Sequence, residues 1–124
     1  MARLLDSNIL IYAAQPGHEF LDQWLEEPGT KFSAISITEV LGYEAITTED
    51  EKLFEAMFAQ LDMQPVSETV LRRAAGLRRG RRIKLGDAII AATALETGSE
   101  LVTRNEQDFR SIERLRIVNP FTTR

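Results

Sequence analysis

The sequence predicts an α/β fold, a three-layer sandwich with a mostly parallel central sheet of about five strands flanked by helices. Three observations lead there. Short apolar runs alternate with segments of helical period from one end of the chain to the other. The segment Ala88 to Leu95 is apolar nearly all round, as a central buried helix must be. Polar and acidic residues follow the strand-like runs, where an open parallel sheet has its ligand crevice. With 124 residues, the chain has the length of one domain, expected to span 1–124.

Arg3 to Leu5 is a short strand stopped by Asp6-Ser7-Asn8, after which Ile9, Leu10, Ile11 and Tyr12 open a helix. Pro16 and Gly17 break the chain. Phe20, Leu21, Trp24 and Leu25 then form the stripe of an amphipathic helix that Pro28-Gly29 ends. Lys31 to Ile35 reads as a second strand. Ser36 and Glu39 have capping-box spacing ahead of an apolar helix through Val40, Leu41 and Tyr43. Thr48, with Glu51 three residues on, caps a helix whose stripe is Leu53, Phe54, Met57, Phe58 and Leu61. Met63 to Val66 is the third strand, and Ser67 to Arg79 is a helix closed by Gly80. Gly86-Asp87 starts the buried helix, which ends at Gly98, and strands follow at Leu101 to Thr103 and Arg116 to Val118. Trp24, Phe54 and Phe58 are assigned to the core.

Composition narrows the chemistry. Charged residues are 27% and the hydrophobic set 44%, as in ordinary globular proteins, with no repeat or low-complexity tract. No apolar run approaches the ~18 residues that span a bilayer, so a soluble, cytoplasmic protein without membrane association is expected. The absence of cysteine excludes disulfides, thiolate metal sites and cysteine nucleophiles, and it suits a reducing cytosol. The one histidine, His18, lies in a polar stretch and is read as a solvated surface residue, which argues against a histidine triad. Net charge is −4, unevenly placed. Seven bases and no acid fall between Arg72 and Lys84, leaving eight bases against nineteen acids elsewhere. A basic strip on an acidic body suits a phosphate backbone, and it equally suits a solvated helix end.

Asp6 follows the first strand, Glu39 the second, and Thr103, Asn105 and Asp108 the fourth, while Asp87 opens the buried helix. Two carboxylates about 4 Å apart repel by roughly 4 kcal/mol at an effective dielectric of 20, so a group of them needs a cation or a shared proton. Oxygen-only ligation suits Mg²⁺ or Mn²⁺, ions that serve phosphoryl displacement. Each acid also has a local reading: Asp6 as an N-cap, Glu39 as the partner of Ser36, Asp87 as a first-turn acid, Asp108 as a surface turn residue. Composition and spacing leave the metal site and these local roles evenly matched.

The strings Asp6-Ser7-Asn8, Ile37-Thr38-Glu39-Val40, Lys84-Leu85-Gly86-Asp87-Ala88-Ile89-Ile90-Ala91-Ala92-Thr93-Ala94 and Leu101-Val102-Thr103-Arg104-Asn105-Glu106-Gln107-Asp108-Phe109 resemble the PIN-domain nucleases. The resemblance is strongest to the VapC toxins of bacterial toxin–antitoxin pairs, and it covers essentially the whole chain. It implies a PIN-like, Rossmann-like sandwich and an endoribonuclease using Mg²⁺ or Mn²⁺. It also implies a homodimer held inactive by a cognate VapB-like antitoxin. In that pattern Asp6, Glu39 and Asp87 are metal ligands, Asn8 assists the first acid, and Thr103 orients the metal shell. Asn105 stands where many relatives have aspartate, so a neutral amide replaces the fourth acid or Asp108 supplies it. One tightly held ion is expected, with Arg78, Arg79, Arg81, Arg82 and Lys84 steering RNA. The alternative is a catalytically degenerate PIN-like module that binds RNA or a partner. A phosphoacceptor domain fits poorly, for it needs an acidic pair after the first strand and a late lysine, and no lysine follows Lys84.

Overall fold

The computed structural model describes residues 2–123. Five strands form one all-parallel sheet: β1 (Arg3–Leu5), β2 (Lys31–Ser33), β3 (Asp62–Gln64), β4 (Glu100–Val102) and β5 (Ile117–Val118), in the order β3-β2-β1-β4-β5. The chain moves outward from β1 to β2 and β3, then returns through helices to place β4 on the other side of β1. The order reverses between β1 and β4, which is where such sheets bind ligands beyond the strands' carboxyl ends.

Side-chain alternation along these short strands builds the three layers. Leu5, Phe32 and Val102 point to one face and are covered by α1 (Ser7–Ala13), α2 (Asp22–Glu26), α3 (Ile35–Leu41) and α4 (Thr48–Gln60). Leu4 and Leu101 point to the other face, against α6 (Leu85–Glu96) and α7 (Glu106–Phe109), with α5 (Glu68–Arg78) packed on α6. Every residue from Ala88 to Ala94 is buried, as the all-round apolar pattern requires. Gly80 and Gly98, at φ of +78° and +62°, make the left-handed exits from α5 and α6.

Several local expectations change. β2 stops at Ser33, not Ile35, because the Ser33 hydroxyl accepts from the Ile35 amide at 3.2 Å and turns the chain into α3. Ser36 therefore lies inside the helix, the N-cap is Ala34 without a side-chain bond, and the Ser36–Glu39 capping box does not form. Tyr43 lies past the end of α3 and is exposed. The cap of α4 is Thr47, one residue before Thr48, accepting from the Asp50 amide at 3.1 Å. Leu53 faces solvent, while Phe54, Met57 and Leu61 are buried. Ser67 is the N-cap of α5, bonded to the Val70 amide at 3.2 Å. β3 is shifted one residue earlier than Met63 and is shorter, an edge strand with exposed Asp62 and Met63. A 3₁₀ turn, Glu19–Leu21, precedes α2. Phe54 is fully in the core, whereas Trp24 and Phe58 are half-buried at its margin, Phe58 stacked on Phe32. No helix among the described residues is long and apolar enough to cross a membrane.

Candidate active site

The carboxyl ends of β1 and β4 open into a cleft of about 260 Å³ lined by Asp6, Ser7, Asn8, Ile11, Glu39, Lys84, Asp87, Asn105 and Asp108. Four separate stretches of chain meet here: the β1–α1 junction, α3, the start of α6, and the β4–α7 segment. All five acidic or amide candidates for catalysis are present. Lys84 alone of the basic strip lines the cleft.

Asp6 forms the floor. Its amide donates to the Val102 carbonyl at 2.9 Å, extending the β1–β4 ladder by one residue, and the Thr103 hydroxyl donates to Oδ2 at 2.8 Å. The same hydroxyl accepts from the Asn105 amide at 3.0 Å, so Thr103 joins the strand end to the loop carrying Asn105. Asp6 is only 3% exposed, and burial pushes its carboxyl from the ordinary 3.8 up to about 6. Asp87 and Glu39 push the same way by repulsion, and the Thr103 bond opposes them. Asp6 also occupies the N-cap position of α1, without a side-chain cap bond, so its carboxylate is left for the cleft.

Glu39 is held differently. It is exposed on α3, and Ser7 Oγ donates to its Oε1 at 2.6 Å. Ser7 has one hydroxyl proton, spent on Glu39, so Ser36 must donate in the 2.7 Å contact between the two serine oxygens. Both serines are buried. On the other side, a Cβ at Gly86 would overlap the Glu39 carboxylate, so the glycine leaves the space that Glu39 fills. The sequence reading missed Ser7 and Ser36. The signal was the i, i+3 spacing of Ser36 and Glu39, which puts both on one helical face, there read as a cap.

Asp87 sits in the first turn of α6 and is partly buried. Its carboxyl is raised above the usual range by burial first, then by Asp108 and Glu39, with Lys84 opposing. Asp108, on α7, thus adds a fourth carboxylate to the cleft, while exposed Asn105 contributes an amide beside it. Asn8 lines the cleft from α1 and is exposed.

The donor set is oxygen-only and strongly anionic, as Mg²⁺ and Mn²⁺ require. Among the described residues no three acids are already gathered about a common ion position. Asp6 and Asp87 nonetheless lie near enough to Glu39 for carboxylate repulsion to add to burial in raising both carboxyls.

The residues of the basic strip have different partners. Arg72 pairs with Glu68 at 2.7 Å, Arg73 pairs with Glu96, and Arg81 donates to the Leu77 carbonyl at 2.8 Å. Arg78, Arg79 and Arg82 are exposed and do not line the cleft. His18 is not a simply solvated residue: it is half-buried among Tyr12, Phe20 and Phe121, with Nδ1 buried and no hydrogen-bond partner among the described residues. It does not line the cleft.

Known proteins share this fold. The PIN domain profile matches residues 3–115. The chain is 31% identical over 122 residues to Ribonuclease VapC10 of Mycobacterium tuberculosis, covering 91% of this chain and 90% of that one. It superposes with a TM-score of 0.77 on a chain of a toxin–antitoxin complex from Klebsiella pneumoniae, at 32% identity over 95% of this chain and 97% of that chain. A chain of the DNA-bound VapBC complex from Salmonella typhimurium has the same fold, with a TM-score of 0.84, 21% identity and coverage of 97% and 98%. With the profile spanning nearly the whole chain and the acids converging at the sheet's switch point, the chain belongs to the PIN-domain family.

Proposed function

We propose that this protein is a metal-dependent endoribonuclease, the toxin of a VapBC-type toxin–antitoxin pair. The observation that carries the reading is the convergence of Asp6, Glu39, Asp87 and Asp108 on one cleft, with Asp6 buried and its carboxyl raised to about 6. The ribonuclease similar to this chain and the toxin–antitoxin complexes that share its fold support the same reading.

Asp6, Glu39 and Asp87 would hold Mg²⁺ or Mn²⁺, with Asp108 as the fourth carboxylate and Asn105 as a neutral oxygen beside it. The chemistry such an ion supplies is neutralisation of charge on the phosphoryl group and activation of water. The chain's own residues do the rest. Thr103 fixes the Asp6 carboxylate on the floor, and Ser7 fixes Glu39 on the wall, so both face the same space. Lys84 stands at the rim, where it draws a phosphate toward the acids. Arg78, Arg79 and Arg82 raise the local concentration of RNA without touching the cleft. Each carboxylate must shed its proton before an ion binds, so the raised carboxyls of Asp6 and Asp87 make affinity rise with pH. The protein would act as a homodimer and be silenced by a VapB-like antitoxin.

The test is cleavage of a structured RNA pool by the purified protein in EDTA, Mg²⁺ or Mn²⁺, beside an Asp6→Asn, Asp87→Asn double variant. Cleavage that needs the ion and disappears in the variant is expected. RNA binding without cleavage under any ion would make the degenerate binding module the better description.

A further inference from the structure

A second hollow, of about 310 Å³, adjoins the cleft and shares Asn105 and Asp108 with it. Its remaining lining is Arg104, Glu106, Gln107 and Arg110. Two arginines, two amides and the carboxylates of Glu106 and Asp108 thus border the acidic cleft beside Lys84's strip, whose Arg81 donates to the Ser111 carbonyl at 3.5 Å.

Arg104, though exposed, lies against two aromatic rings. Its guanidinium carbon lies 4.1 Å from the ring centre of Phe121 and 5.1 Å from that of Tyr12. Those rings meet edge to face at 5.0 Å, forming a two-ring platform. The C-terminal turn that carries Phe121 is itself anchored: the Phe121 amide donates to Asn119 Oδ1 at 2.9 Å, and Asn119 Nδ2 donates to Glu106 Oε2 at 3.0 Å. Glu106, the nearest acid along the chain, is therefore engaged by Asn119. No carboxylate pairs with Arg104 among the described residues.

A cation seated against two aromatic rings and left without an acid partner keeps its donors for an oxyanion. The need for one is electrostatic. The cleft presents four carboxylates against Lys84, and a nucleic acid strand must continue past it with a charge at every phosphate. We propose that Arg104, seated on Tyr12 and Phe121 and supported by Arg110, forms a phosphate subsite for the RNA strand where it leaves the cleft. Asn105 and Gln107 supply amide donors and acceptors to the adjoining sugar or base. This subsite rests on the ribonuclease reading above.

The experiment uses the full chain and a short fluorescent single-stranded RNA, comparing wild type with Arg104→Ala, Arg104→Lys and Arg110→Ala. KM and kcat are followed across KCl concentration, and binding in EDTA is read by anisotropy. Arg104→Ala should raise KM about tenfold, the loss of one charge-assisted phosphate contact, with kcat within about twofold. The salt slope of binding should fall by about 0.7, the value for one phosphate of a single strand. Arg104→Lys should restore the slope while leaving KM raised, because charge returns without the stacked plane. Arg110→Ala, which leaves the aromatic platform intact, should shift KM the same way by about threefold.

Wild type that cuts RNA while Arg104→Ala and Arg110→Ala match it in KM and slope would overturn the subsite and leave the ribonuclease reading standing. Unchanged RNA parameters with weakened binding of poly-glutamate would assign the hollow to an acidic protein partner and likewise overturn it. Wild type that neither binds nor cuts RNA would remove the ribonuclease reading itself.

Discussion

The two walls of the cleft hold their carboxylates by opposite means. On the sheet side, Asp6 is placed by the β1–β4 ladder and locked by Thr103, and it is almost wholly buried. On the helix side, Glu39 is exposed, mounted on α3, and kept in place by a hydroxyl relay from Ser36 through Ser7 and by the gap at Gly86. Backbone hydrogen bonds fix the first wall, so position there comes with the fold. Side-chain contacts fix the second, so position there can be lost while the fold survives. The sheet wall therefore carries a cost in stability, and the helix wall carries its cost in activity.

The largest effect separates acid from no acid. Asp6→Asn or Asp87→Asn should each lower RNA cleavage about a thousandfold in saturating Mg²⁺, since several kcal/mol of charge stabilisation depend on the ion they hold. Steady-state kinetics on a single RNA substrate reads this directly. Activity within tenfold of wild type for Asp6→Asn would move the catalytic centre off the sheet wall.

Next comes the stability cost of the sheet wall. Asp6 has a carboxyl near 6 when folded against an ordinary 3.8, so folding favours its protonated form. Its contribution is fully present below about 3.8 and is lost as pH rises through about 6, a difference of about 3 kcal/mol. The raised carboxyl of Asp87 adds in the same direction. In EDTA, denaturant unfolding should therefore show stability falling between pH 4 and pH 7. Asp6→Asn should flatten most of that slope, and Mg²⁺ or Mn²⁺ should restore stability at pH 7. A slope unchanged in Asp6→Asn would assign the pH dependence to other groups.

Gly86→Ala sharpens the contrast from the helix side. The added Cβ meets the Glu39 carboxylate, the far end of a flexible side chain, which can swing aside at little cost to folding. Alanine also suits a helix better than glycine by about 1 kcal/mol. The expected result is a variant as stable as wild type or slightly more so, with cleavage and Mn²⁺ affinity reduced by a factor of about 30, in the range for disturbed ligand orientation. A variant that loses stability while keeping its activity would contradict the assignment of Gly86 to the Glu39 wall.

This contrast also marks what the sequence revealed. The alternation of strands and helices, the buried run Ala88 to Ala94 and the acids at strand ends were legible, because period and burial are properties of local sequence. The Asp6–Thr103 bond joins residues 97 apart; both lie at strand ends, but the bond itself is not legible in the sequence, where the resemblance gives Thr103 a role in the metal shell and Asn8 the role of assisting Asp6. The Ser7–Glu39 bond joins residues 32 apart through side chains alone, and no periodicity announces it. Ser36 was read as a helix cap because that role can be seen within four residues, whereas its contact with Ser7 depends on how α1 and α3 pack. The basic strip is legible as charge but not as a set of partners. Its thirteen residues run through a helix, a turn at Gly80 and an extended segment, and the pairing of Arg72 with Glu68 and of Arg73 with Glu96 depends on the fold.

The smallest effect tests whether the relay behind Glu39 is a chain or two separate contacts. In a chain, Ser36 donates to Ser7, and Ser7, its oxygen so satisfied, turns its own proton to Glu39. Ser7→Ala removes the donor that touches Glu39 and should lower cleavage about tenfold, the low end for an orienting partner. Ser36→Ala leaves that donor in place but frees Ser7 to rotate, so the loss should be about threefold. Because the two hydroxyls act through one carboxylate, the double variant should be no worse than Ser7→Ala, with a coupling that cancels the Ser36 effect. Multiplying losses would show that Ser36 acts on the cleft by a route other than Glu39. Mn²⁺ affinity should weaken in the same order as activity, while unfolding midpoints, which report packing and not orientation, should not rank the variants this way.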